Sequence, residues 1–481
     1  MRTTEYKDLR EWLELVKKHE ELEVVKGASW EEDIGMATEL LNHTTGSPAA
    51  LFDDIPGVEK GFRVLTNALR SDTRLAVTFG LPVGLSKIEL ANRLYQKLKD
   101  FTPLPPVVVK DGPILENIME GDDVNVLRFP TPKWHEADGG RYIGTGSYDI
   151  TCNPDDPSDI NLGTYRVMVS DKNHVFFYVS PGKHGRIHRD KWYARNEPCP
   201  FMVVVGGDPL LYLAGANEVA INEYEWAGGV RGEAFEVIKG KYTGLPMPAR
   251  AEIVIEGFCH QEDKAEEGPF GEWTGYYASG HRAESRVEIK AIYFRNDPII
   301  LGSPPNRPPD ELAFYRAFMR SPLLQEEIGK AGVPDVTAAW CHEAGGARMF
   351  NAIAVKQRYP GHATQVGHIA SQCHVGAYCG RYTVVVDDDI DVTDLEEVIW
   401  AMSSRSDPAT SIDIIHNCWS THLDPRIHPD AKEKGALWNN VAVINACRPF
   451  EWKDKFPKVN TPSADVKKKT IEKWGYLVKK R

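Results

Sequence analysis

Apolar residues between positions 8 and 19 fall at helical spacing (Leu9, Trp12, Leu13, Val16), which predicts an amphipathic helix with one buried stripe. Ser29 and Glu32 stand three apart ahead of Ile34, Met36 and Leu40, a capping box that predicts a second helix. Ser86 and Glu89 repeat the device ahead of Leu90, Leu94 and Leu98. Proline then punctuates the chain at Pro103, Pro105 and Pro106, before strand-like residues 107–109.

From about residue 115 to 305 the period changes. Short β-branched and aromatic runs recur at 165–169, 175–179, 202–205, 251–255 and 286–294, separated by Gly, Asn, Asp and Pro. This predicts an antiparallel sheet or barrel with few helices. Residues 311–332 then carry a long helical pattern ending at a glycine, a connector between domains. Buried strands are expected at 349–355 and 382–386, and Thr393 to Glu396 should cap a helix running to Met402. The lysine-rich, amphipathic tail from 466 to 481 suits either a solvated surface helix or an arm on a partner subunit, the arm being favoured. The expected fold is therefore α/β and multidomain (α+β in its arrangement), with segments at 1–114, 115–308, 309–332, 333–460 and 461–481.

Composition narrows the class without naming a function. The 481 residues exceed one ordinary core, and 42% hydrophobic with 26% charged residues is the balance of a soluble globular protein. A formal net charge of -12 leaves no basic surplus for phosphate backbones, so no nucleic-acid partner is expected. The charged start of the chain lacks a signal-like apolar stretch, and no run of eighteen apolar residues predicts a membrane span. Eight cysteines without a CxxC pair suit reduced thiols, so a cytoplasmic location is expected.

Four strings could carry chemistry. In Glu267-Gly268-Pro269-Phe270-Gly271-Glu272, two carboxylates lie five apart, which on a regular strand places them on opposite faces. The glycines and proline permit a loop that turns both inward, where burial and repulsion raise one pKa; an exposed turn with two solvated glutamates fits the same string. In Asn161-Leu162-Gly163-Thr164-Tyr165-Arg166, the amide oxygen suits a hard cation and the guanidinium a carboxylate or phosphate, provided a bulge at Gly163 brings them together. The string Lys183-His184-Gly185-Arg186-Ile187-His188 spaces two histidines as on a helix, but Gly182 and Gly185 argue for a loop, an anion cradle with one histidine for metal. Asn222-Glu223-Tyr224-Glu225 suits an acidic helix start, or a carboxylate ligand that with Asn and His would favour Mn²⁺ or Mg²⁺. The acidic run at 387–391 reads as a solvated helix cap.

In order along the chain, N-x-G-x-Y-R at 161–166, E-Y-E-x-A-G-G at 223–229 and E-G-P-F-G-E-x-T-G-Y at 267–276 resemble the UbiD family of prenylated-flavin decarboxylases. The likeness runs from Asp8 through VVVDDDIDV at 384–392 to Leu423-Asp424-Pro425 and looks nearest to hydroxybenzoate- and vanillate-type members. It implies a split-barrel domain at 115–308 that binds prenylated FMN, flanked by an N-terminal α/β segment, a linker helix and a C-terminal α/β oligomerisation domain. Asn161, His184 and Glu223 stand where the family binds Mn²⁺, with K⁺ close by, near Ala214 and Asn217. Thr164, Tyr165, Arg166 and the stretch Ser180, Pro181, Lys183, His184, Gly185 and Arg186 match cofactor-binding positions. Glu272 stands at the proton donor, with Arg166 and Glu267 completing a Glu-Arg-Glu network, and His374 is expected to approach the cofactor. The implied reaction is reversible, non-oxidative decarboxylation of an aromatic or α,β-unsaturated acid through a covalent adduct with the flavin. The implied partners are a UbiX-type flavin prenyltransferase that supplies the cofactor, and further copies of the chain in a homodimer or homohexamer. A physiological carboxylase, a cinnamate or heteroaromatic acid decarboxylase, and a non-catalytic flavin-binding paralogue are the alternative readings.

Overall fold

The computed structural model describes residues 3–217, 219, 221–278 and 280–477. The first helix, Leu9–Lys18, is capped by the Asp8 side chain on Glu11 N and buries Leu9, Trp12, Leu13 and Val16, the stripe its periodicity demands. It packs on a four-stranded sheet in the order Leu22–Lys26, Ala49–Asp53, Arg63–Thr66, Ile299–Gly302. The last strand joins from nearly 240 residues downstream by parallel pairing with Arg63–Thr66, so the N-terminal layer is sewn to the middle of the chain.

The middle of the chain builds a nine-stranded sheet, antiparallel at every pairing, running from Tyr142–Gly144 at one end to Asp156–Gly163 at the other. Its two long strands, Ile253–Glu267 and Arg282–Phe294, form a hairpin whose far end carries Glu267. Side chains alternate between two cores. Phe201, Val203 and Val205 face one interior, and Met202 and Val204 face the other. The linker helix Glu311–Lys330, capped by Asp310, leads to a five-stranded mixed sheet ordered Val336–Cys341, Phe350–Val355, Tyr382–Asp387, Trp438–Ala446, Ile412–Trp419. The architecture is mixed α/β and multidomain.

Several local expectations change. The middle region keeps to the few helices expected, three α-helices in all among the described residues (His184–Ala194, Pro209–Ala216 and Glu223–Arg231), but the first stands where a loop was expected. Before the second helix, Ser29 exchanges bonds with Asp33 rather than Glu32, because the helix starts at Asp33, three residues later than a box at Ser29 and Glu32 requires. Of the three apolar residues read as its pattern only Ile34 is buried; Met36 and Leu40 are exposed, because Gly35 sits against the Trp134 carbonyl and sets which face turns inward. The box at Ser86 and Glu89 forms as read. The acidic run at 387–391 is solvated only in part: Asp388, Asp389 and Asp391 are exposed, but Asp387 is buried and bonded to Arg405 and Arg448, and Asp389 is bonded to Arg405. Asp394 caps the helix that follows.

All eight cysteines are free thiols. No helix among the described residues is long and apolar enough to cross a membrane. The tail helix Ala464–Trp474 leaves Val466, Ile471 and Trp474 exposed; residues 478–481 of the expected arm lie outside the described residues.

Candidate active site

The strand Asp156–Gly163 enters the protein from an exposed end and is buried at Asn161, Leu162 and Gly163. It ends at Gly163, so residues 164–166 leave the sheet before the next strand begins at Val167, and no bulge is needed to redirect Arg166. The glycine has a steric purpose. A Cβ at 163 would lie 2.4 Å from the Tyr165 ring, and one at Gly185 would lie 2.6 Å from it. The ring therefore occupies space that any side chain at either position would claim. Its hydroxyl accepts a bond from Gly185 N at 3.1 Å and from Asn161 Nδ2 at 3.5 Å.

Gly185 thus serves packing rather than flexibility, and a helix begins at His184 where a loop was expected. His184 and His188 are four apart on that helix, and they differ in setting: His184 is exposed at its start, His188 turned inward. His188 is buried against Thr151 at 3.1 Å, with Asp159 at 3.6 Å. The turn before the helix, with Ser180, Pro181 and Lys183, is largely exposed, and Lys183 at the N-cap offers no side-chain cap. Arg186 is engaged elsewhere, bonded to Asp190 at 2.8 Å.

The helix Glu223–Arg231 abuts the same strand. Asn222 caps it and also bonds Ile160 O at 3.0 Å, while Glu223 accepts a bond from Leu162 N at 3.0 Å. Bonds on either side of Asn161 therefore tie it to Glu223, and Tyr165 ties it to the start of the His184 helix. Burial raises the Glu223 carboxyl to about 7, against the lowering effect of the Leu162 bond. A buried carboxylate lacking a cation is where a positive ion is most stabilising. Among the described residues no group of three or more His, Cys, Asp or Glu gathers; the donors expected from the sequence are one amide oxygen, one imidazole and one carboxylate. That O/N set fits a hard divalent ion, and an uncapped helix start beside it fits a phosphate. At the end of the Pro209–Ala216 helix, Gly215 O accepts from Thr164 N at 3.2 Å and Asn217 bonds Leu213 O at 2.7 Å; positions 218 and 220, in the stretch beside the expected K⁺ ligands, lie outside the described residues.

On the opposite side, Arg166 spends Nε and Nη2 on the two oxygens of Glu267, at 2.9 and 2.8 Å. Its Nη1 reaches Glu272 at 3.3 Å. Glu267 ends its strand fully buried, and Gly268, at φ +85, turns the chain so that Glu272 comes back beside the same guanidinium. The two glutamates are turned inward, not solvated. Tyr142 donates to Glu267 at 3.1 Å and stacks on Phe270 with centroids 3.9 Å apart. Arg166 also lies 4.4 Å from the ring centre of Tyr178, which Arg282 covers from 4.1 Å. Burial raises the Glu272 carboxyl above its ordinary value; Arg166 and Arg282 oppose the shift and Glu267 adds to it. The site thus pairs a locked carboxylate with one inclined to keep its proton.

His374 lies near Trp419, ring centroids 6.4 Å apart. Sequence reasoning missed Asp149, which is fully buried with neither carboxylate oxygen bonded. Its signal was present: Tyr148-Asp149-Ile150-Thr151 alternates on a strand, which puts Asp149 on the face of Thr151, the partner of His188. Tyr142, Arg282 and Trp273 carried no local signal, because their roles come from contacts distant in sequence.

Residues 107–308 match the family model described as the 3-octaprenyl-4-hydroxybenzoate carboxy-lyase Rift-related domain, while 13–94 and 313–444 match the N- and C-terminal domains of the same family. A phenolic acid decarboxylase of Sedimentibacter hydroxybenzoicus is 32% identical over 436 residues, 88% of this chain and 89% of that protein. The vanillic acid decarboxylase of Sedimentibacter hydroxybenzoicus in its open form superposes with a TM-score of 0.84 at 30% identity, covering 98% of this chain and 100% of that one. An evolved dimeric form of the UbiD-class enzyme HmfF from Pelotomaculum thermopropionicum, solved in complex with prFMN, shares the fold with a TM-score of 0.80 at 23% identity, covering 96% of this chain and 98% of that one. With all three of its domains matched in order along a chain whose buried core they span, this protein belongs to the UbiD family of carboxy-lyases.

Proposed function

We propose that the chain catalyses non-oxidative, reversible decarboxylation of a hydroxybenzoate-type aromatic acid, with prenylated FMN held through Mn²⁺ and K⁺. The observation that carries the reading is Arg166, clamped by Glu267 on one edge while Glu272 touches its remaining nitrogen. Asn161, His184 and Glu223 would hold the divalent ion; Thr164, Tyr165 and the turn from Ser180 to Arg186 would hold the flavin phosphate. Prenylated FMN, when bound, supplies the electron sink for the pair left on carbon as carbon dioxide departs.

This chain's own residues supply the rest. Glu267 fixes the Arg166 fork, so the guanidinium presents Nη1 to the incoming carboxylate without reorganising. A substrate carboxylate arriving there competes with Glu272, and two like charges on one nitrogen drive Glu272 to its protonated form. Buried Phe270 and Trp273 keep water away. When the carbon–carboxylate bond breaks, Glu272 delivers its proton to the ring carbon and recovers one from solvent. The reading includes a homodimer or homohexamer, supported by Ile414 and Trp419 exposed on the edge strand Ile412–Trp419 and by Trp438 beside it. It also includes supply of the flavin by a UbiX-type prenyltransferase.

The test is carbon dioxide release from a panel of hydroxybenzoates, using protein co-produced with a flavin prenyltransferase. Glu272→Gln is expected to retain the flavin absorbance and lose release. A fully active Glu272→Gln protein overturns the assignment.

A further inference from the structure

Beyond Glu272 the chain presents a cation with no acid to match it. Residues 343–349 of the C-terminal unit form a tight loop in which Gly346, at φ +63, lies against Trp273; a Cβ there would come within 2.8 Å of the indole. The loop therefore presses on the residue next to Glu272. Arg320 of the linker helix holds it in place, donating to Ala347 O at 3.2 Å and to Val375 O at 2.6 Å. Arg348 is carried on this anchored loop. Its guanidinium sits between two rings, 4.9 Å from the centre of Tyr378 and 5.7 Å from that of Trp273.

Ring faces attract the charge but accept no in-plane hydrogen bond. The buried Nε of Arg348 has no acceptor, and Arg348 makes no ion pair among the described residues. Its charged neighbours are Arg320 and Arg316, and Arg316 also acts on Glu272. Burial, then those two guanidinium groups, lower Arg348 to about 9, the direction expected where positive charge is in excess. Resting on the decarboxylase reading, we propose that Arg348, backed by Arg316, is a subsite for a second carboxylate on the aromatic acid substrate. A carboxylate matches the planar fork with two oxygens and is ionised at neutral pH, whereas a phenol hydroxyl is not.

The experiment uses flavin-loaded Glu272→Gln protein, so that acids persist, and measures dissociation constants by calorimetry. Benzene-1,3- and benzene-1,4-dicarboxylate are each compared with their monomethyl esters, which keep the shape and lose one charge. The diacid is expected to bind about ten-fold tighter than its ester, from one charge-assisted contact. That ratio should fall toward one in Arg348→Met and be partly kept in Arg348→Lys, which retains charge without the fork. A ratio near one for both isomers, or a ratio unchanged by Arg348→Met, overturns the subsite. Where Arg348→Met does not fold, an undiminished ratio in Arg348→Lys overturns it and a reduced one supports it. Failure of the decarboxylase reading shows separately, as absence of carbon dioxide release by the wild type from mono- and diacids alike.

Discussion

Arg166 and Arg405 each touch two carboxylates, and the two clusters behave oppositely. In the C-terminal sheet, Arg405 bonds Asp387 at 2.9 Å and grips both oxygens of Asp389 at 2.8 and 3.0 Å. Arg448 adds a second cation on Asp387, and Gln357 takes its other oxygen. Burial alone would raise Asp389, but the Arg405 bonds and charge and the Arg448 charge outweigh it, and its carboxyl falls below the usual range. Around Arg166 the fork is spent on Glu267, and Glu272 is left one longer contact, so burial wins and its carboxyl rises. Where both acids take short bonds from two cations they make a strut; where Arg166 gives both short bonds to Glu267, and Arg282 stands 3.7 Å from that same acid, Glu272 keeps only the longer contact and a proton to move. The same residue types give structure or chemistry according to how the donors are shared.

The sharpest way to break the comparison is Glu272→Gln, expected to lower kcat by about 10²–10⁴-fold in carbon dioxide release with flavin content unchanged. Because the acid form is needed and its pKa is raised, the wild-type rate should fall on the alkaline side of a pH profile. Arg282 opposes that rise, so Arg282→Met should move the alkaline limb to higher pH; a limb moving lower would contradict the assignment. Arg405→Ala is the counterpart: it should cost about 1–3 kcal/mol in urea unfolding, because buried Asp387 loses one of its two cations and Asp389 its two-pronged partner. The position of the alkaline limb should not change in that variant.

Glu311 extends the comparison to a buried acid with no ion pair among the described residues, held instead by Leu69 N at 2.7 Å. Burial raises it to about 7, so its contribution to stability is complete below the ordinary carboxyl value and is lost as pH rises through 7. Glu311→Gln should therefore raise Tm at pH 8.5, by the equivalent of roughly 1–3 kcal/mol, and give no gain at pH 5. The smallest effect is expected from Tyr142→Phe, which removes the 3.1 Å bond to Glu267 and should cost about 0.5–1.5 kcal/mol of folding stability in the same urea assay.

The elements were legible wherever the signal is local. The Leu9–Lys18 stripe, the Ser86 box and the linker helix follow from periodicity and capping within a turn or two. The inward Glu267–Glu272 turn was legible as a possibility, but its cation, Arg166, lies 101 residues away from Glu267, and only the family resemblance joined them. Local reasoning failed where a residue answers to a distant partner. Gly185 reads as a helix breaker until the Tyr165 ring is seen to need its space, and Asp387 reads as solvated until Arg405 and Arg448 arrive from other strands and helices. Arg348 was invisible for the same reason, since its interest lies in which charges are missing around it.

The strand Ile299–Gly302 has a consequence for how the molecule is made. Until it has been synthesised, Arg63–Thr66 is an open sheet edge, with Val64 and Leu65 part of a core that lacks its last layer. The ribosome must therefore emit some 300 residues before the earliest sheet can close, and the nascent chain carries an unpaired edge throughout that interval. A fragment cut after residue 114 inherits this edge permanently, so an amino-terminal unit made alone exposes a pairing surface that four residues from another part of the message cover in the whole chain.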